Sequence, residues 1–243
     1  MKRTEALDVN GRTYPVNVFI EDRHDATASI GGRSINIRLP RGMSREEQFR
    51  QLIRFKQLVR QKLERHPAAF QQPKRAYAHG DTLQVGNEAY LINLAFKGKE
   101  SSSAGIAGNT ISLVISSRLP EEKRQRHIAT LISRCIGARR LPEITRRVHE
   151  LNQKHFRQQF NKVFLKNNRS NWGSCSREGR NINISTRLLF APGDVIDYVC
   201  THELAHLLEK SHSGRFWELV AQAMPDYREK KRWLRENGSR CFF

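Results

Sequence analysis

The sequence predicts an α+β protein. Three observations lead there. A stretch that alternates apolar and polar residues occurs twice, each copy is followed by a charged segment of helical period, and the C-terminal part changes to longer helices separated by short strands.

The repeat comes first. YPVNVFIEDRHDATASIGGRSINIRL from Tyr14 lies over YLINLAFKGKESSSAGIAGNTISLVI from Tyr90 without a gap, an offset of 76 residues. Tyr14/Tyr90, Asn17/Asn93, Ile30/Ile106, Gly32/Gly108 and Ile35/Ile111 are identical. Each copy alternates, turns at a small-residue pair (Gly31-Gly32, Ala107-Gly108) and alternates again, which reads as a pair of strands. Helical segments follow at Ser44 to Arg65, opening S-R-E-E, and at Pro120 to Arg139, opening P-E-E. Two copies make a duplication and not a solenoid, which needs about three or more units.

His66 to Gly80, HPAAFQQPKRAYAHG, has the composition of a linker and sets a domain boundary near residue 76. Beyond the second copy the pattern predicts a helix from Pro142 to Gln158 and short strands at Lys162 to Lys166 and Asn181 to Ser185. The loop NNRSNWGSCSREGR separates those strands, and a helix begins after Pro192-Gly193. Asp194 is the expected N-cap of that helix, with Asp197 in its first turn.

Composition bounds the function. A chain of 243 residues can bury a substantial core, so no metal is needed merely to hold it folded. No apolar run approaches the roughly 20 residues of a membrane span, and MKRTEALDVNGRTYP lacks the apolar core of a signal peptide, so a cytoplasmic protein without membrane contact is expected. Four cysteines without a C-x-x-C pair argue against a disulfide framework or zinc ribbon. The formal charge of +19 attracts polyanions. Arg139 to Arg180 is the densest basic stretch; it reads as a solvated face before it reads as a nucleic-acid groove, since no nucleic-acid-binding motif accompanies it.

The chemistry lies in HELAHLLEKSHSGRFW, residues 202 to 217. At about 100° per residue, Ile196, Val199, Cys200, Leu204, Leu207 and Leu208 share one arc of the helix, and Glu203 falls inside it. His202 and His206 fall along its edge. A carboxylate on a buried face costs several kcal/mol unless something compensates. Two histidines at i and i+4 can hold one Zn²⁺, which lowers the pKa of its water toward about 7, and a carboxylate beside them can take that water's proton. His202 and His206 are therefore candidate zinc ligands and Glu203 the candidate general base of an amide hydrolase.

A catalytic zinc takes a third protein ligand. His212 is favoured, because a histidine in a short polar turn has little structural purpose; Glu218 on the next helix is the rival. The turn must form around Glu209, Lys210 and Ser211, since Glu209 stands where H-E-x-x-H-x-x-G-x-x-H proteases carry glycine. Ser213 is the expected cap of the following helix, with Phe216 and Trp217 as packing residues.

WGSCS (Trp172 to Ser176), RLLFAP (Arg187 to Pro192), IDYVCTHELAH (Ile196 to His206), HSGRFW (His212 to Trp217) and PDY (Pro225 to Tyr227) together resemble the YgjP-like zinc metallopeptidases, related in their motif to SprT-type zincins. The resemblance implies a zincin-like metallopeptidase domain of gluzincin or minigluzincin size, with His202, His206 and His212 as zinc ligands and Glu203 at the catalytic position. On that reading residues 1–75 are an added strand-rich copy and residues 76–243 the metallopeptidase domain, with the second copy at 80–140 and the catalytic core at 141–243. INIST departs from the Asn-Trp of relatives at Ser185-Thr186. Asn181 to Ser185 is the candidate strand for pairing with an extended peptide or protein substrate. The competing reading is a basic nucleic-acid-binding protein in which zinc is structural.

Overall fold

Each half of the repeat folds as two hairpins and a helix. The computed structural model describes residues 2–30, 34–65, 75–168, 171–176 and 178–243, and the chain divides into two compact units, Met1–Lys74 and Arg75–Phe243.

The first unit consists of β1 (Lys2–Val9), β2 (Arg12–Glu21), β3 (Thr27–Ile30), β4 (Ile35–Pro40) and α1 (Arg45–Arg65). Its sheet has the order β1-β2-β4-β3, with β2 and β4 parallel and the other pairs antiparallel. Alternation places Tyr14, Val16 and Val18 inward from β2, against Leu52, Val59 and Leu63 of α1. Ser44 caps the helix, its Oγ accepting the Glu47 N–H at 3.2 Å.

The second unit opens with β5 (Thr82–Val85), β6 (Glu88–Lys97), β7 (Ser103–Ala107) and β8 (Thr110–Ser116), in the order β5-β6-β8-β7. Val16 faces Ile35 in the first sheet as Ile92 faces Ile111 in the second. Three strands therefore stand where each copy suggested a pair, and a fourth, β1 or β5, precedes the copy. The polar interval after β2 or β6 lets the chain cross over, so that the last strand runs parallel to the long one while its hairpin partner takes the edge. Gly108, at φ 52°, makes the β7–β8 turn; Gly31-Gly32 and residues 66–74 of the linker lie outside the described residues.

The two helices expected at Pro120–Arg139 and Pro142–Gln158 are one, α2 (Glu121–Leu151), with Pro142 inside it, followed by a wide turn, Asn152–Phe156. An internal proline costs about 3 kcal/mol. Ile128, Leu131, Ile132, Ile136, Ile144 and Val148 are all buried along this helix, and at roughly 1.5–3 kcal/mol per buried side chain they outweigh that cost. Gly137 lets Thr186 approach: a Cβ there would stand 3.0 Å from Thr186 Cγ2.

The rest is β9 (Val163–Lys166), β10 (Gly173–Ser176), β11 (Asn181–Ser185), α3 (Gly193–Ala205), α4 (Gly214–Ala223) and α5 (Tyr227–Asn237). The small sheet has the order β10-β11-β9. Among the described residues no helix is long and apolar enough to cross a membrane.

Candidate metal and active site

α3 begins at Gly193, one residue before the expected cap. Asp194 lies in the first turn, its Oδ1 accepting the Val195 N–H at 2.9 Å and its Oδ2 paired with Lys230 at 2.7 Å. Asp197 pairs with Arg147 at 2.8 Å, which ties α3 to α2. Val195, Ile196, Val199, Cys200 and Leu204 are buried, and Glu203 is buried with them at 4% exposure.

The helix ends in tightened turns: the Leu207 N–H reaches Leu204 O and the Leu208 N–H reaches Ala205 O, each at 3.0 Å. Glu209 needs no left-handed backbone there, which explains how the turn forms without glycine. Its carbonyl accepts from His206 Nδ1 at 2.9 Å. A carbonyl cannot donate, so Nδ1 is the donor, and Nε2 is the ring nitrogen left to face the cluster.

His202, His206 and His212 come together, with their ligand atoms all within 4.8 Å of one another. His202 Nε2 and His212 Nε2 are 3.0 Å apart. Phe216, fully buried, is the floor beneath all three rings, at 4.8, 4.5 and 4.7 Å from His202, His206 and His212. Ser213 caps α4 immediately after His212, its Oγ accepting the Phe216 N–H at 3.3 Å. Glu218 is exposed on α4 and is not part of this cluster.

Electrostatics follow from burial. Desolvation pushes His202 down to about 3, helped by His206, His212 and Lys231, and also lowers His212. Both rings are therefore neutral near pH 7, the form that ligates metal. Desolvation pushes Glu203 up to about 8. Its Oε2 and His202 Nδ1 are buried without a hydrogen-bond partner among the described residues, and each such group costs about 1–3 kcal/mol. Three imidazoles with converging nitrogens, beside a buried carboxyl whose Oε2 has no hydrogen-bond partner among the described residues, are a donor set that fits a divalent cation.

One residue essential to this geometry carried no reading of its own in the sequence. A Cβ on Gly173 would stand 2.5 Å from Glu203 Oε1 and 2.7 Å from its Cγ; the carboxylate occupies the space a side chain would fill. Trp172 holds that strand in place. The Arg187 guanidinium lies 4.4 Å over its ring and donates to Cys241 O and Gly238 O, while a Cβ on Gly238 would meet the indole at 2.5 Å. The signal was WGSCS itself, a Trp-Gly pair in an otherwise polar loop.

A cleft of about 600 Å³ opens over the histidines, with Gly173, Ser174 and Cys175 along one side. The substrate strand suggested at Asn181–Ser185 is corrected here: β11 is central, paired with β10 on one side and β9 on the other, so its main-chain groups are taken. The edge strand at the cleft is β10. Ser185 and Thr186 are buried and do not line the cleft. Within the basic stretch, Arg140, Arg146 and Arg147 pair with Glu143, Glu150 and Asp197.

The family model described as "YgjP-like, metallopeptidase domain" matches residues 25–237. The match starts just before β3, so it reaches further back than the motifs quoted above. A search of curated proteins found no match. Similar solved structures include the metallopeptidase zymogen of Pyrococcus abyssi abylysin, with TM-score 0.36 and 21% identity over 38% of this chain and 93% of that one. The metallopeptidase zymogen of Methanocaldococcus jannaschii jannalysin gives TM-score 0.34 and 16% identity over 38% and 94%.

Proposed function

This chain belongs to the YgjP-like metallopeptidase family, and from that premise we propose that it is a zinc-dependent peptidase in which His202, His206 and His212 hold the ion and Glu203 is the general base. The observation that carries the reading is the buried Glu203 carboxyl, whose Oε2 has no hydrogen-bond partner among the described residues, beside three converging imidazoles. When bound, zinc lowers the pKa of water toward about 7 and polarises a carbonyl oxygen.

The protein's own groups do the rest. The Glu209 carbonyl keeps His206 in the tautomer that presents Nε2. Phe216 fixes the ring planes from below. Glu203, held against Gly173, takes a proton from the attacking water and returns it to the departing amine, a role that contributes about 10²–10⁴-fold. The edge strand β10 borders the cleft, and an extended peptide would lie alongside it as an added strand.

Glu203→Gln tests the assignment. Zinc content measured by elemental analysis should stay stoichiometric while peptide cleavage falls by about 10²–10⁴-fold; undiminished turnover would remove Glu203 from its role. In parallel, His212→Ala should lose zinc and Glu218→Ala should keep it.

A further inference from the structure

The charges lining the cleft do not balance. Among the described residues, the only carboxylate in its lining is Glu203, whereas Lys210, Lys231 and Arg235 all line it. Lys231 and Arg235 stand one turn apart on α5, flanking the buried Leu234, so both project from the same face of the helix. Lys231 is held in place: its Nζ sits 4.2 Å over the Trp217 ring, and that ring stacks 5.7 Å from His212 and 5.3 Å from Tyr227. Arg235 has an exposed partner, Glu236, at 3.4 Å, which does not line the cleft.

These cations differ from their neighbour Lys230 on α5. Lys230, one residue earlier, is bound by Asp194 at 2.7 Å and Asp226 at 3.0 Å and serves to join α5 to α3. Lys231, about 100° further round the helix, lies over Trp217 and lines the cleft with the histidines, which a divalent cation would make more positive still. Among the described residues no lining carboxylate forms a salt bridge with that wall, and a substrate carboxylate would do so.

We propose that Lys210, Lys231 and Arg235 select peptides carrying a carboxylate near the scissile bond, either an acidic side chain or the substrate's C-terminus. The proposal rests on the peptidase reading above and names the substrate class of that same site. Lys231 and Arg235 are specificity residues: they recognise charge beside the reacting bond and take no part in moving the proton.

The test uses the full chain loaded with zinc and a set of internally quenched peptides of one parent sequence. Glu or the isosteric Gln is placed at each position in turn, and each peptide is made with a free and an amidated C-terminus. At the best position Glu should raise kcat/KM over Gln by about fivefold to tenfold at low salt, and the ratio should shrink as ionic strength rises. An effect confined to the free C-terminus assigns the wall to the terminal carboxylate; one that survives amidation assigns it to a side chain. The double variant Lys231→Glu, Arg235→Glu should invert the ratio in favour of Lys-containing peptides.

A second readout needs no turnover. Fluorescence anisotropy with the metal-free protein should show the labelled Glu peptide binding more tightly than its Gln twin. Cleavage and binding both indifferent to peptide charge would overturn the proposal and leave the peptidase reading intact. Charge-selective binding without cleavage of any peptide would support the wall and sink the peptidase reading.

Discussion

The first unit and the catalytic part of the second solve opposite problems. In the first unit the buried residues of the core are hydrophobic throughout, from Leu7 to Leu63. Every buried polar or charged side chain among the described residues lies in the second unit: Ser116, Ser133, Ser185, Thr186, Thr201 and Glu203. Some are satisfied, as Ser133 and Thr186 are by each other at 2.7 Å. Three consecutive residues are not, since Thr201 Oγ1, His202 Nδ1 and Glu203 Oε2 are buried without partners among the described residues. The same apolar packing that stabilises the first unit serves, around α3, to hold groups in places they would not choose.

The largest effects should come from replacing a buried side chain of each kind. Ile37→Ala removes aliphatic core from the first unit and should cost about 2–5 kcal/mol at any pH. Glu203→Gln should do the reverse in chelator-treated protein. Burial raises the folded-state pKa of Glu203 from 4.5 to about 8, so the stability it lends is complete below the unfolded value and is lost as pH rises through the folded one. The amide escapes that loss, and its advantage should grow from about 1 kcal/mol at pH 5 to about 3 kcal/mol at pH 7. Denaturant unfolding separates the two, because Trp172, Trp217 and Trp233 all lie in the second unit. Tryptophan fluorescence should record the Glu203→Gln gain and not the Ile37→Ala loss; a Trp transition that moves with Ile37→Ala would erase the contrast between the units.

A glycine pair sharpens the comparison at a smaller scale. Gly105 in β7 has nothing within 4 Å of where a Cβ would stand, whereas Gly173 has the Glu203 carboxylate. Gly105→Ala should be silent. Gly173→Ala should fold and bind zinc, yet cleave about 10²-fold more slowly, because the general base is pushed out of line by about an ångström. Equal rates in the two variants would mean that Glu203 works without the space Gly173 leaves it.

Legibility followed the same division. Period-2 alternation and the S-R-E-E start marked β2, β4 and α1, because in the first unit each residue obeys its local preference. The buried arc through Ile196 and Leu204 was legible for the same reason, and Glu203 stood out by breaking it. Pro142 misled because a local rule ended a helix that tertiary burial of Ile128 to Val148 carries through. β10 was invisible: Gly-Ser-Cys-Ser has no alternation to read, and it is a strand only through its ladder to β11. That Gly173 faces Glu203 is a contact between residues far apart in the chain, for which no periodicity leaves a trace.

The smallest effects come from the two serine caps, which are chemically the same bond in different places. Ser44 Oγ accepts the Glu47 N–H at 3.2 Å and Ser213 Oγ accepts the Phe216 N–H at 3.3 Å. Either serine changed to alanine should cost about 1 kcal/mol of helix stability. Ser213, however, follows His212 directly and its bond fixes Phe216, on which all three imidazoles rest. Ser213→Ala should therefore also weaken zinc affinity by about fivefold, since that same 1 kcal/mol is then subtracted from a site assembled by the cap. Ser44→Ala should leave zinc affinity unchanged. Competition with a chromogenic chelator measures both; equal affinities would show that α4 stands on Phe216 and Val220 packing alone, and that the ligand turn is set from the α3 side.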